Sequence, residues 1–237
     1  MTLLRFMPEA LKERLRRRAG AVTAIARLEN LRRAGFNPRR IIDAGAYHGE
    51  WSQMAHRVFP EAALLLIEAQ PHLGVRLREF CATLPDARFR PALLGATAGT
   101  VRFVLNESNS RIIPDSFDPG PSQVQMLSVE PLAAIAAAEG FSDCDLLKLD
   151  LQGHELAALA GAGELFGRVS VIITEVSWLR IGEVPLIQEV FLAFAAHGYQ
   201  PYDIWGGIYR QRDGALWQTD VMFVRTDLPL LASQSWD

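Results

Sequence analysis

Cysteine is scarce in this chain of 237 residues, and long apolar runs are missing. The two cysteines, Cys81 and Cys144, stand in no metal-binding spacing and are too few for a disulfide framework, so we expect a reducing compartment. No apolar run approaches the roughly 18–20 residues that span a bilayer. Residues 1–10 also lack the charged and apolar regions of a signal peptide. The sequence therefore predicts a soluble cytoplasmic protein without a transmembrane segment.

Positive charge is scarce beyond the first forty residues. Residues 1–40 hold eleven of the 24 Lys and Arg but only three of the 27 Asp and Glu, so the rest of the chain is acidic. A nucleic-acid substrate would need basic residues around the cleft to neutralise its phosphates, so nucleic acid is not expected as a partner. The basic run at 12–18 could make a peripheral contact with an anionic membrane, or it could form a solvated helical face.

The glycine-rich turn at 43–49 lacks the third glycine of a dinucleotide site. It reads Asp-Ala-Gly-Ala-Tyr-His-Gly and follows a short apolar strand. In a Gly-x-Gly-x-x-Gly turn the backbone approaches a pyrophosphate closely at a helix N-terminus. S-adenosylmethionine (SAM) carries no phosphate, and one wider turn suffices for its amino-acid end. The turn favours a SAM-dependent methyltransferase, with an NAD-dependent oxidoreductase as the alternative.

Apolar strands and helices alternate over most of the chain. The alternation predicts an α/β domain with a mostly parallel sheet covered on both faces, and a closing hairpin implies an antiparallel strand at one edge. We divide the chain into a basic helical extension at 1–38, an α/β domain at 39–228 and a tail at 229–237. Helices are predicted at 8–34, 50–59, 71–83, 131–139, 153–166 and 185–197, and strands at 41–44, 63–67, 89–94, 100–105, 124–129, 146–149, 169–174, 199–205 and 217–225.

Acidic residues follow or close four predicted strands, at Asp43, Glu68, Asp150 and Glu175. Ligands of open α/β sheets bind at the carboxyl ends of the strands, so these side chains are expected along one rim. Glu68 should accept hydrogen bonds from ribose hydroxyls, because a carboxylate accepts two at once. Asp43 should orient the glycine turn and the ammonium group of the cofactor. Each acid could instead merely end a strand or cap a helix.

The segment 147–155 is the second dense cluster of polar groups and holds three candidate catalytic residues. Asp150 leaves a strand tip, and we expect it to take the proton of an acceptor hydroxyl. His154 competes for that role, although it could be an ordinary packed or surface histidine. Glu155 should shape the acceptor site, or it could only favour the N-terminus of the next helix. No Asp, Glu or Asn spacing singles out a ligand set, so no metal is predicted.

The chain resembles the FkbM family of SAM-dependent methyltransferases over about residues 40–225. The segments that carry the resemblance are 43–49, 68–71, 148–155, 175–178 and 218–225. It implies a Rossmann-like class I methyltransferase fold with seven strands and SAM bound at the first two strand ends. It also implies O-methylation, often of sugar hydroxyls in polysaccharides, glycolipids or secondary metabolites.

Three positions depart from that family's usual residues. Tyr47 stands where Asn is usual, Ala69 where Pro is usual and Gln152 where Glu is common. The changes affect the identity of the catalytic base more than the binding of SAM.

The sequence thus predicts an O-methyltransferase acting on a hydroxyl of a carbohydrate, glycolipid or related metabolite. Gly45, Ala46 and Gly49 should form the turn around the methionine end of SAM, and Leu93 with Leu94 should flank its adenine. A SAM-binding scaffold without turnover is the non-enzyme alternative, and an oligomer is compatible with the sequence.

The acceptor should lie beyond the same strand ends. Glu175 is expected at the wall of its site, and the polar loop at 106–122 should cover it. Trp178 and Trp205 could face a sugar ring, or they could belong to the core.

Overall fold

The computed structural model describes residues 23–105, 110–113, 117–118, 120, 123–180 and 184–232. Of the helix predicted at 8–34, the described part is α1, Ala24–Arg33. Thr23 caps its start by accepting a hydrogen bond from the Ala26 amide, and Ile25, Leu28 and Leu31 face the core. The basic run at 12–18 and most of the predicted extension lie outside the described residues.

The remaining elements largely follow the predicted alternation. In chain order they are β1 Arg40–Ala44, α2 Glu50–Val58, β2 Ala63–Glu68, α3 Gly74–Ala82, β3 Ala87–Pro91, β4 Leu93–Leu94, β5 Gly99–Leu105, β6 Arg111–Ile113, β7 Gln123–Glu130, α4 Leu132–Glu139, β8 Leu146–Leu149, α5 Glu155–Ala160, β9 Val171–Ser177, α6 Ile187–Ala196, β10 Tyr199–Tyr209 and β11 Leu216–Arg225. Short 3-10 turns occupy Pro71–Leu73, Gly163–Leu165 and Pro229–Leu231.

Seven strands form the main sheet in the order β10-β11-β9-β8-β1-β2-β3. The predicted mostly parallel sheet is confirmed, and β11 runs antiparallel to both of its neighbours. The antiparallel strand lies one place inside the edge, because β11 inserts between β9 and β10. Its residues Val221–Val224 are buried, whereas β10 is mostly exposed, so burial favours β11 at the inner position.

Helices cover both faces of this sheet. On one face α4, α5 and α6 pack over strand residues such as Ile42, Leu147 and Phe223. On the other face α1, α2 and α3 pack over the alternate residues, such as Ile41 and Leu146. Successive side chains of a strand point to opposite faces, so these apolar runs fill two separate cores. Among the described helices, none is long and apolar enough to cross a membrane.

A second sheet, in the order β4-β7-β5-β6, was not predicted as a separate unit. The single strand predicted at 89–94 is wrong, because β3 ends at Pro91 and β4 pairs with β7 instead. Proline has no N–H to extend the ladder, and Leu93 is buried against Phe103 of β5. The predicted loop at 106–122 also contains the short strand β6. The second sheet stands beside the carboxyl ends of β2 and β3.

Candidate active site

A pocket opens at the carboxyl ends of β1, β2 and β8. It encloses about 750 Å³ of empty space including its open mouth. Of the residues predicted from the sequence, Gly45, Glu68, Leu93, Leu94, Asp150 and His154 line it. The other predicted residues, Asp43, Ala46, Gly49, Glu155 and Glu175, lie around it without lining it.

The turn after β1 depends on glycine at two positions. Gly45 has φ +82°, and a β-carbon there would stand 2.0 Å from the backbone carbonyl oxygen of Asp150. Gly49 has φ +78° and precedes the first residue of α2. The amides of Gly45 and Ala46 both donate to the Ile67 carbonyl, at 2.9 and 3.0 Å. The turn is therefore held tightly against β2 on one side and against the loop after β8 on the other.

Glu68, at the end of β2, binds this turn through a hydrogen bond of its side chain. Its side chain is buried, Oε2 accepts a hydrogen bond from the Tyr47 amide at 2.8 Å, and Oε1 accepts one from the Gln70 amide at 2.9 Å. Tyr47 adopts φ +47°, which a side-chain-bearing residue rarely does. Each carboxylate oxygen has a second lone pair, so both can still accept a hydrogen bond from a ligand in the pocket.

The second sheet supplies one wall of the pocket, and sequence reasoning missed this contribution. Phe103 of β5 and Ile112 of β6 face the pocket with Leu94 of β4. Ser110 donates a hydrogen bond of 2.9 Å to the side-chain oxygen of Gln70, which joins the two sheets across a buried contact. The alternating pattern of 100–105 indicated an apolar face, but the sequence did not show what that face would meet.

Beneath the turn, Lys148 lies between two carboxylates. Its Nζ is 3.1 Å from Oδ2 of Asp150 and 3.8 Å from Oδ1 of Asp43. Burial opposes the charge on Lys148, but these two carboxylates together with Asp220 outweigh burial and raise the pKa of Lys148. Asp43 is itself fully buried and accepts a hydrogen bond of 2.6 Å from the Ser52 hydroxyl of α2. Burial raises the pKa of Asp43, against the opposing influence of Lys148.

The chain turns sharply just after Asp150. Gln152 has φ +54°, and its side-chain amide nitrogen, Nε2, donates to Oδ1 of Asp150 at 3.1 Å. Glu155 is buried, and its Oε1 accepts hydrogen bonds from the amides of Leu151 and Gly153 at 2.8 and 3.1 Å. These contacts make Glu155 a cap for the turn that enters α5.

Two further groups near this turn have shifted pKa values. Burial raises the pKa of Glu155 to about 7, although its hydrogen bonds to backbone amides act in the opposite direction. Burial lowers the pKa of His154, which lines the pocket, and so favours its neutral imidazole. A neutral imidazole can accept a proton, so this shift is in the direction that a base requires.

Glu175 does not end a strand, contrary to prediction. The parallel partner β8 stops opposite Thr174, but β11 continues the ladder as far as Ser177, so Glu175 lies inside β9 opposite Asp220. Its Oε2 accepts a hydrogen bond of 2.6 Å from Gln218. Burial and then the nearby Asp150 raise the pKa of Glu175 to about 8, and burial raises that of Asp220 to about 6.

The two tryptophans named from the sequence have different surroundings. Trp205 is buried in the core under α1 and α2. Trp178 is 41% exposed just beyond β9, and its indole N–H donates to the Thr219 hydroxyl at 2.9 Å. Trp178 therefore presents a fixed aromatic surface near the Glu175 side of the rim. No group of three or more His, Cys, Asp or Glu among the described residues is placed to hold a metal ion.

Comparisons with known proteins agree with this architecture. A family model described as the methyltransferase FkbM domain matches residues 43–201. Ribosomal RNA large subunit methyltransferase E of Zymomonas mobilis is 31% identical over 141 residues, and the match covers 56% of this chain and 60% of that protein. The chain thus matches less than two thirds of this curated relative's length.

Solved structures with a similar arrangement are distant in sequence. A precorrin-6y C5,15-methyltransferase from Geobacter metallireducens has 11% identity and a TM-score of 0.45, with 85% of this chain and 87% of that chain covered. The N-methyltransferase NodS from Bradyrhizobium japonicum has 10% identity and a TM-score of 0.45, with 86% and 94% covered.

The family assignment rests on the family model and agrees with the fold. The matched residues run from Asp43 in β1 into β10, which is more than half of the chain. The seven-stranded sheet with its antiparallel β11 is the Rossmann-like class I methyltransferase fold. The chain belongs to the FkbM methyltransferase domain family.

Proposed function

We propose that this protein is a SAM-dependent O-methyltransferase whose acceptor is a hydroxyl of a carbohydrate, glycolipid or related metabolite. The observation that carries the proposal is the position of Glu68, a buried carboxylate at the end of β2 that borders the pocket beside Gly45. A carboxylate in this position can accept hydrogen bonds from both hydroxyls of a ribose.

The chemistry of the pocket fits SAM. Leu93, Leu94, Phe103 and Ile112 form an apolar surface suited to a flat purine ring. Asp150, at the other side of the pocket, suits a ligand whose sulfonium and ammonium groups are positive. When bound, SAM supplies an electrophilic methyl group. The contacts of Gly45 and Ala46 with Ile67 support the role proposed for 43–49, which is to form the turn beside the methionine end.

Asp150 is the group best placed to take a proton from the acceptor. About a third of its side chain is exposed, and it lines the pocket while Lys148 and Gln152 hold its two oxygens. A carboxylate can accept about four hydrogen bonds, so Asp150 can still accept one from an acceptor hydroxyl. His154 is the alternative base on the same rim. Glu155 supports this site by fixing the turn that carries both residues.

A carbohydrate acceptor accounts for the polar and aromatic groups beyond Asp150. Glu175 and Gln218 form a hydrogen-bonded pair on this side, and Trp178 is 41% exposed just beyond the end of β9. Carboxylate and amide groups bind sugar hydroxyls, and an aromatic face suits the apolar face of a sugar ring. The proposed acceptor site thus combines hydrogen-bonding groups with one fixed aromatic surface.

RNA is the second candidate acceptor, because the curated relative from Zymomonas mobilis is named as a ribosomal RNA methyltransferase. The charges at the rim oppose it. Asp150 and Asp220 are acidic, and Lys148, the cation beside them, is buried between carboxylates. A phosphate backbone would meet repulsion there unless cations from another surface reached it. We therefore favour the carbohydrate.

Calorimetry with the full chain tests the cofactor. We expect SAM and its demethylated product S-adenosylhomocysteine to bind, and NAD not to bind. Glu68→Gln should weaken binding of S-adenosylhomocysteine by about tenfold or more, because a charged acceptor of ribose hydrogen bonds is lost. Glu61→Gln is the matched control, since Glu61 is exposed just before the other end of β2. Binding of NAD alone, or equal binding by both variants, would contradict the proposal.

Transfer of a labelled methyl group tests the acceptor. SAM with a labelled methyl group is incubated with the protein and, separately, with an oligosaccharide and glycolipid pool or with ribosomal RNA. Label in the glycan fraction supports the proposal, and label in the RNA alone selects the second candidate. Tight binding of SAM without transfer to either pool favours the scaffold without turnover.

A further inference from the structure

We propose that Lys148 is a positioning residue that directs the Asp150 carboxylate toward the acceptor and places a positive charge beside it. This inference rests on the proposed function, because it gives Asp150 the role of proton acceptor. Lys148 does not line the pocket, so it would act through Asp150 rather than on the substrate.

The first support is the geometry of the ion-pair network. Lys148 lies beside Asp43 in the register of β8 and β1, and its side chain is buried. Its Nζ contacts Asp150 at 3.1 Å and Asp43 at 3.8 Å. Among the described residues it is the only cation that forms an ion pair with either carboxylate. Its ammonium also lies 5.9 Å from the centre of the Trp51 ring, which favours the charged form.

The second support is that hydrogen bonds from Ser52 and Gln152 restrain the orientation of the two carboxylates. Lys148 approaches one oxygen of each carboxylate, and a different donor binds the other oxygen. The Ser52 hydroxyl donates to Oδ2 of Asp43, and the side-chain amide of Gln152 donates to Oδ1 of Asp150. The chain of contacts therefore runs from α2 through β1 and β8 to the loop that borders the pocket. Because Asp150 receives a donor on each oxygen, its carboxylate plane is set by the fold and not by the substrate.

The third support is the number of acids that face one cation. Charged groups that interact with Asp150 lie on β1, β8, α5, β9 and β11; they are Asp43, Lys148, Glu155, Glu175 and Asp220. His154, in the loop before α5, lines the same pocket as Asp150. Glu175 and Asp220 have raised pKa values, and Lys148 opposes the rise in both. Without Lys148 the described cluster would hold no paired cation. Asp150 would then face only like charges among the groups that interact with it, and like charges disfavour the ionised form of a carboxyl group.

Titration of aspartate carboxyl carbons by NMR tests this role without any acceptor. The full chain is labelled at its aspartates, and the signal of Asp150 is assigned by its loss in Asp150→Asn. We expect Lys148→Met to raise the titration midpoint of Asp150 by about 1 to 3 pH units, the usual effect of a neighbouring opposite charge. Lys148→Arg should stay near the wild-type midpoint, because it restores the cation.

Two further variants keep the test decisive. Arg168→Met removes one cation from an exposed pair with Glu164, just before the start of β9, and should leave the midpoint of Asp150 unchanged. If Lys148→Met does not fold, Asp43→Asn is added to it. The double variant no longer buries the Asp43 carboxylate without a cation, and it should still raise the titration midpoint of Asp150. A folded variant without Lys148 and with an unmoved midpoint overturns the inference.

The pH profile of methyl transfer links this result to function. In Lys148→Met the acid limb of the profile should move to higher pH together with the midpoint of Asp150. If the midpoint moves but the wild-type protein transfers no methyl group, the proposed function fails and the charge effect of Lys148 stands. If methyl transfer is robust and its pH profile is the same with and without Lys148, the positioning role is wrong and the proposed function stands.

Discussion

The backbone carbonyl oxygen of Asp150 lies 2.0 Å from the point where a β-carbon of Gly45 would stand. The loops after β1 and β8 therefore touch through backbone at this position. The same contact brings the candidate cofactor turn and the candidate base to adjacent sides of one pocket. Position 45 therefore requires glycine because two loops pack together there, whether or not a ligand is bound.

Gly45→Ala should destabilise the protein by about 3 kcal/mol or more, because it combines a clash with backbone and a positive φ. Gly35→Ala is the matched control, since Gly35 has φ +93° but no atom within 4 Å of the added carbon. Gly35→Ala should lower the free energy of unfolding by only about 1–2 kcal/mol, through backbone strain alone. Urea unfolding of both variants measures the difference. Equal losses would show that the contact with Asp150 relaxes at little cost.

Phe103→Ala should weaken binding of S-adenosylhomocysteine by about tenfold and cost about 3 kcal/mol of stability, because Phe103 is buried in the wall between the second sheet and the pocket. Met126→Ala is the control, since Met126 lies on β7 of the same sheet but is 63% exposed. Calorimetry and thermal unfolding give the two effects. Unchanged binding in a folded Phe103→Ala protein would mean that the second sheet does not contact the ligand.

The free energy of unfolding should fall as the pH rises from about 5 to about 8. Folding raises the pKa of Glu175 from an ordinary 4.5 to about 8 and that of Glu155 to about 7. Between the unfolded and folded pKa values, the folded protein binds more protons than the unfolded chain, so raising the pH favours unfolding. The stabilisation is complete below about pH 4.5 and is lost as the pH rises through the folded pKa values.

Glu175→Gln isolates one part of that slope. It keeps an oxygen for the hydrogen bond from Gln218 but removes the titrating group, so the stability lost between pH 5 and pH 8 should shrink by an amount on the order of 2 kcal/mol. Glu164→Gln changes an exposed acid and should keep the wild-type slope. Urea unfolding at several pH values checks both. A slope that Glu175→Gln leaves intact would assign the effect to other groups.

Both cysteines should resist a thiol reagent at pH 8 until the protein unfolds. Cys81 is buried and its pKa is raised by burial to about 11, and burial likewise raises the pKa of Cys144. The thiolate is the reactive form, and little of it is present below the pKa. Reaction with a chromogenic disulfide before and after addition of denaturant gives the number of accessible thiols. Rapid reaction in the native protein would contradict the burial of these side chains.

The class of the sheet, but not the order of its strands, was accessible from local pattern. Alternation of apolar strands with helices predicts a mostly parallel sheet, and acids at strand ends predict which rim binds a ligand. Glu68 and Asp150 were found because each follows directly from a buried run. Lys148 was not singled out, because a lysine within an apolar strand shows its role only when Asp43 and Asp150 are placed on either side of it.

The amino-acid sequence by itself determined the class of fold, the FkbM resemblance and the positions of the glycine turn and its acids, since each depends on neighbouring residues in the chain. Only the tertiary structure decided that β4 leaves the main sheet, that Glu175 lies within β9, and that Phe103 walls the pocket. Those features depend on pairing between strands far apart in sequence. Local pattern does not encode such pairing, because many registers satisfy the same alternation of apolar and polar side chains.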